Sequence, residues 1–152
     1  MNKVAKHVDD AVSKGAQILV GGKRPDVLGS FFAPTVLSDV PSNALINDEE
    51  TFGPLAALIK FETEDEVIKL ANASDVGLSG YFFSRDVGRV WRVAEALEVG
   101  MVGANTGMLS HTSLPFGGVK ESGIGTYFSL KLLVIPFQLT SFHRPGRRTS
   151  WD

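Results

Sequence analysis

The chain has 152 residues, 43% hydrophobic, 21% charged and 9% aromatic, which excludes a disordered chain, a collagen and a coiled coil. A formal net charge of −2 leaves no whole-chain basic field to hold nucleic acid. No cysteine is present, so the chain carries no disulfide framework, no thiolate metal site and no cysteine nucleophile.

Met1–Ser13 mixes charges with Val4, Val8, Ala11 and Val12 on one helical face. That pattern predicts an amphipathic helix, not a secretory signal, and no targeting segment is expected. His7 falls on the polar side and is expected to be solvated. Gly15 ends the helix. Ala16–Val20 reads as a strand closed by Gly21 and Gly22. Phe31–Ala33 and Thr35–Val40 read as short extended pieces parted by Pro34.

The middle of the chain is more regular. Leu55–Phe61 reads as a buried strand. Thr63 and Glu66 form a capping-box pair that starts a helix running to about Asn72. Leu78–Ser84 is a second strand. Asp86 caps a second helix with an apolar stripe of Val87, Val90, Trp91, Ala94 and Leu97, ended near Gly100. Met101–Asn105 is a third strand. Strand, helix, strand, helix, strand with short connections predicts an α/β fold, βαβαβ, with parallel pairing and right-handed crossovers.

After Asn105 the composition changes. Thr106–Gly125 is rich in glycine and has little periodicity, as in a functional or packed loop. Residues 126–152 hold four basic residues against one acid, whereas residues 1–125 hold 11 against 16. Such asymmetry can mark a tail that meets an acidic partner, but with the net charge negative no nucleic-acid partner is expected. The longest apolar run, Leu132–Phe137, is far below the ~20 residues of a membrane span. No membrane partner is expected.

His7, His111 and His143 lie far apart, and none has a second ligand at metal-site spacing, so no metal site is expected. Gly123 and Gly125 lack the third glycine and preceding strand of a dinucleotide motif and read as turn glycines. Ser122 lacks the frame of a nucleophile elbow.

Two segments stand out. Asp48–Pro54 (DEETFGP) is either an exposed acidic loop or a place where one carboxylate accepts two ribose hydroxyls beside a flat phenylalanine. Asn105–Gly125 (NTGMLSHTSLPFGGVKESGIG) is either a glycine-rich connection or a loop whose backbone approaches a ligand, with Ser110 and Phe116 offering a hydroxyl and an aromatic wall.

Glu49–Pro54 (EETFGP), Phe116–Gly125 (FGGVKESGIG) and the βαβαβ pattern between them resemble the aldehyde dehydrogenase superfamily. Glu95–Ser110 and Leu114–Gly125 are most similar to its succinate-semialdehyde branch, which belongs to γ-aminobutyrate catabolism. The similarity covers about residues 2–125. It implies a partial catalytic domain over 1–125, without the Rossmann-type cofactor domain, and a poorly ordered tail over 126–152 that does not follow the family.

The resemblance also implies residue roles. Glu50 is the glutamate that binds the nicotinamide ribose of NAD or NADP, and Phe52 is the aromatic residue at the nicotinamide end. Ser110 maps to a serine that helps hold the substrate carboxylate, and Phe116 to a residue lining the aldehyde tunnel. The small-molecule substrate is then an aldehyde, most simply succinate semialdehyde oxidised to succinate.

In the family a cysteine thiolate attacks the aldehyde, hydride passes to the cofactor, and a glutamate base activates water. None of these catalytic groups maps onto this chain, which alone is expected to oxidise no aldehyde. The family is homo-oligomeric, but its oligomerisation strand is not recognisable in the tail. Location follows the family, cytoplasmic or mitochondrial. A dehydrogenase of other aldehyde specificity and a non-catalytic interaction fragment are the alternative functions.

Overall fold

The protein is described from a computed structural model, covering residues 2–26, 29–110 and 115–123, with the backbone of 132–134. It divides into two compact units, Met1–Asp75 and Val76–Asp152.

In the first unit, α1 (Asn2–Ser13) precedes β1 (Gln17–Val20), β2 (Thr35–Ser38), α2 (Leu45–Asp48), β3 (Leu55–Ala57) and α3 (Glu64–Asn72). The sheet order is β1-β2-β3, antiparallel in the first pair and parallel in the second. Val4, Val8 and Ala11 of α1 pack with Ala16, Phe32, Leu37, Val40 and Ala44 in the core. Helical spacing put the three α1 residues on one stripe, and burial of that stripe stabilises the helix. Val12, expected on the same stripe, is exposed, and His7 takes its place inside.

The expected buried strand Leu55–Phe61 is shorter. Its ladder reaches Leu58, whose amide donates to the Leu37 carbonyl at 2.9 Å. Leu58, Ile59 and Phe61 are exposed, because an apolar run is buried only where another element covers it. Helix α3 starts as read. Thr63 Oγ1 accepts from the Glu66 amide at 3.1 Å, but Glu66 reaches back to the Glu62 amide, one residue before the cap. None of its side chains is fully buried.

In the second unit, β4 (Val76–Gly77), β5 (Ser79–Phe82), α4 (Val87–Ala96), β6 (Met101–Ala104), β7 (Val119–Lys120) and β8 (Leu132–Val134) follow in order. Strands β5, β6 and β8 form a parallel sheet with β6 in the middle. Every residue of β6 is buried, as an apolar strand between two parallel neighbours should be. Strands β4 and β7 make an antiparallel ribbon.

The fold class is α/β with parallel pairing. The strand–helix–strand–helix–strand order is present as β3, α3, β5, α4 and β6. Strands β5 and β6 pair with each other, and β3 pairs with β2.

The stripe on α4 differs from its expectation. Asp86 caps it by accepting from the Arg89 amide, and Val90, Val93 and Ala94 are its buried residues, followed by Leu97. Val87 is 71% exposed and Trp91 52% exposed. The buried face is centred on Val93, which shifts Val87 and Trp91 to its open flank. Most of the tail, residues 126–131 and 135–152, lies outside the described residues, as do His111, His143 and Gly125. Within it, the backbone of Leu132–Val134 runs parallel to Met101–Gly103.

Candidate functional site

The segment Glu49–Pro54 is held by α1. His7 is fully buried on the core face of that helix, not solvated as its place in the charge pattern suggested. Its Nε2 lies 3.3 Å from Glu49 Oε2 and its Nδ1 2.5 Å from Thr51 Oγ1. A carboxylate can only accept, so Nε2 carries the proton toward Glu49. In the neutral ring Nδ1 then accepts from the threonine hydroxyl. These partners outweigh the cost of burying an imidazole.

Lys3 and Lys6 each approach a different Glu49 oxygen at 3.6 Å. The His7 hydrogen bond, with the Lys6 charge next, holds the Glu49 carboxyl below its ordinary value of 4.5. Two further contacts fix the segment. Asp10 Oδ2 accepts from the Leu45 amide at 2.8 Å and so caps α2. A side chain at Gly53 would meet Val4 Cγ2 at 2.5 Å, so the glycine lets this loop close onto α1.

Burial alternates along this segment. Glu49 and Thr51 are half-buried, whereas Glu50 and Phe52 are exposed, the period of extended chain. Phe52 is 92% exposed. Among the described residues Glu50 has no hydrogen bond or ion pair. Its two oxygens can therefore accept a vicinal diol, and the open ring of Phe52 can lie against a flat heterocycle. A carboxylate acceptor beside an open aromatic ring is the chemistry that a ribose diol joined to a flat heterocycle would need.

In the second unit, Asn105 ends β6 in the left-handed region at φ 58. Its Oδ1 accepts from the Ser84 amide at 2.8 Å, and its Nδ2 donates to the Ser84 carbonyl at 2.9 Å. Thr106 Oγ1 accepts from the Met108 amide, and Leu109 is buried. Ser110 follows and is exposed.

Beyond residues 111–114, which are outside the described set, Phe116 is 60% exposed. The next glycines approach protein closely. A side chain on Gly100 would lie 2.1 Å from the Gly117 carbonyl oxygen, and one on Gly118 would lie 2.6 Å from Ser122 Cβ. Ser122 Oγ accepts from the Gly77 amide at 3.0 Å, and Lys120 pairs with Glu98 at 2.7 Å. Gly123, at φ 98, closes a turn as read from the sequence.

Glu50 and Phe52 thus share one loop of the first unit, while Ser110 and Phe116 flank 111–114 in the second. The sequence reading missed His7, Thr51 and Asn105. The signal for His7 was its helical position, three residues from Val4 and four from Ala11, inside the apolar stripe.

The aldehyde dehydrogenase family profile matches residues 1–133. The mitochondrial succinate-semialdehyde dehydrogenase of Rattus norvegicus is 58% identical over 125 residues, 82% of this chain and 24% of that protein. The 3-sulfolactaldehyde dehydrogenase of Pseudomonas putida is 54% identical over 125 residues, 82% of this chain and 26% of that one. Among solved structures, succinate-semialdehyde dehydrogenase from Burkholderia pseudomallei superimposes with a TM-score of 0.80 at 54% identity, over 82% of this chain and 26% of that chain. The chain therefore spans about a quarter of the length of these relatives. With the profile covering most of its length and the sequence so close to these enzymes, the chain belongs to the aldehyde dehydrogenase family.

Proposed function

We propose that this chain supplies cofactor and substrate contacts of an NAD(P)-dependent dehydrogenase that oxidises succinate semialdehyde to succinate. The observation that carries this reading is the division of labour in Glu49–Phe52. Helix α1 engages Glu49 and Thr51, while Glu50 and Phe52 stay exposed. In this reading Glu50 accepts the nicotinamide-ribose hydroxyls and Phe52 lies against the nicotinamide end. NAD or NADP held there would supply the hydride acceptor. Ser110 donates its hydroxyl proton to the substrate carboxylate, and Phe116 walls the aldehyde. Residues 1–125 act as the partial catalytic domain and 126–152 as a tail, although the family match extends into the first part of that tail, to residue 133. A mitochondrial or cytoplasmic setting and homo-oligomeric assembly belong to the same reading, the rat relative being a mitochondrial protein by name.

A second reading is favoured by the sulfolactaldehyde relative, which matches over the same length. Sulfolactaldehyde carries a sulfonate where succinate semialdehyde carries a carboxylate. A hydroxyl donor at Ser110 suits either anion.

The test is an enzyme in which residues 2–125 replace the equivalent part of a succinate-semialdehyde dehydrogenase, assayed with both aldehydes and an uncharged aldehyde of similar length. We expect the carboxylate substrate to be preferred. Ser110→Ala should weaken it relative to the uncharged one by about 1–3 kcal/mol in transition-state terms. Equal losses would remove Ser110 from substrate reading. Glu50→Gln should impair cofactor use by about 1.5–3 kcal/mol, the scale of a charge-assisted hydrogen bond, with the thermal melt unchanged. The cysteine-free chain alone should produce no aldehyde-dependent NAD(P)H.

A further inference from the structure

We propose that His7 is the positioning residue of the cofactor loop, acting through Thr51 and Glu49 to turn Glu50 and Phe52 outward. The proposal rests on the reading of Glu50 and Phe52 as cofactor contacts. Its physical basis is a single buried imidazole that spends both ring nitrogens on residues 49 and 51. Side chains at positions i and i+2 can reach one group together when the chain between them is extended. The residues on either side of Thr51 must then face the other way, and the exposure of Glu50 and Phe52 agrees.

The anchor is rigid because His7 sits on the same face of α1 as Val4, Val8 and Ala11, all buried. Val4 also touches the loop where Gly53 closes on it. Lys3 and Lys6 keep Glu49 charged beside the ring, and so preserve the acceptor that Nε2 needs. His7 reaches neither Glu50 nor Phe52 by any contact described, so its role is to fix the backbone that carries them.

The full chain gives the first test. Hydrogen exchange of amides 49–53 is compared among the unaltered chain, Thr51→Val, Thr51→Ser and His7→Gln. T51V keeps the shape of the side chain and removes the hydroxyl, whereas T51S retains it. We expect T51V and H7Q to speed exchange in this segment about tenfold, the scale of one net hydrogen bond. T51S should match the unaltered chain, and residues 87–96 should be unaffected in all variants. Should H7Q fail to fold, T51V against T51S still decides. Unchanged exchange in T51V overturns the proposal.

The second test uses the enzyme carrying residues 2–125. T51V should raise KM for the cofactor about tenfold, leave KM for the aldehyde within about twofold and be rescued by T51S. Glu50→Gln is measured beside it. If E50Q leaves cofactor kinetics unchanged, the cofactor reading of Glu50 fails whatever His7 does. If E50Q is impaired and T51V is not, Glu50 keeps its role and the positioning role of His7 is overturned.

Discussion

Glu49 and Glu50 are adjacent and chemically alike, and their surroundings give them different work. Glu49 belongs to a cluster of Lys3, Lys6 and His7. Asp10 and Asp39 are structural acids as well. The Lys14 hydrogen bond, then the Leu45 amide, lowers the Asp10 carboxyl below its usual 3.8, and the Lys60 and Ser38 hydrogen bonds do the same for Asp39. A carboxyl with a lowered folded-state pKa binds protons more readily in the unfolded chain. Its contribution to stability is therefore complete above the ordinary carboxylate range and is lost as pH falls through the folded values.

We expect urea midpoints of the first unit, followed by amide exchange, to hold between pH 7 and 5 and to drop below about 4.5. Asp39→Asn should make that drop shallower. A midpoint that is flat to pH 3 would mean that these pairs are exposed contacts of no net value. The acidic segment was visible in the sequence, but the partner of its first glutamate was not. His7 and Glu49 are 42 positions apart, and local patterning says nothing about a contact at that distance.

Among the elements, α4 shows how far helical spacing carries. Its start, its cap and the presence of an apolar stripe followed from the sequence, because period and capping are local properties. Which flank of a broad stripe is buried depends on the strand beneath it, and that moved the centre to Val93. Val93→Ala should cost about 1.5–2.5 kcal/mol in a denaturant melt, two buried methyl groups' worth. Val87→Ala should stay within about 0.5 kcal/mol. The reverse order would restore the original stripe.

The ribbon of β4 and β7 was illegible for a different reason. Two-residue strands have no period, and the glycines around them signal turns. Those glycines serve close backbone approach at Gly100 and Gly118. Gly100→Ala would press a methyl group against the Gly117 carbonyl, where backbone must move. It should cost about 1–3 kcal/mol and increase proteolysis near Phe116. Unaltered cleavage there would show that the approach is loose.

At the scale of the whole molecule, much apolar surface is open. In the first unit β1 is a sheet edge whose Ile18, Leu19 and Val20 are all exposed. An unpaired apolar edge is a template for another chain, and contiguous apolar patches promote association. In the second unit β8 covers one side of the central strand β6. Leu132–Val134 pairs with Met101–Gly103, so a cut before residue 132 removes the strand beside β6. A chain ending at residue 125 leaves β6 with an unpaired edge and should associate more strongly than a chain ending at 134. Leu19→Lys, which puts a charge on the exposed β1 edge, should weaken association of the full chain. Light scattering during size-exclusion chromatography over a concentration series reads both effects. A monodisperse 1–125 chain with a sharp cooperative melt would show that β6 does not need β8. Association unaltered by L19K would place the contact surface elsewhere than β1.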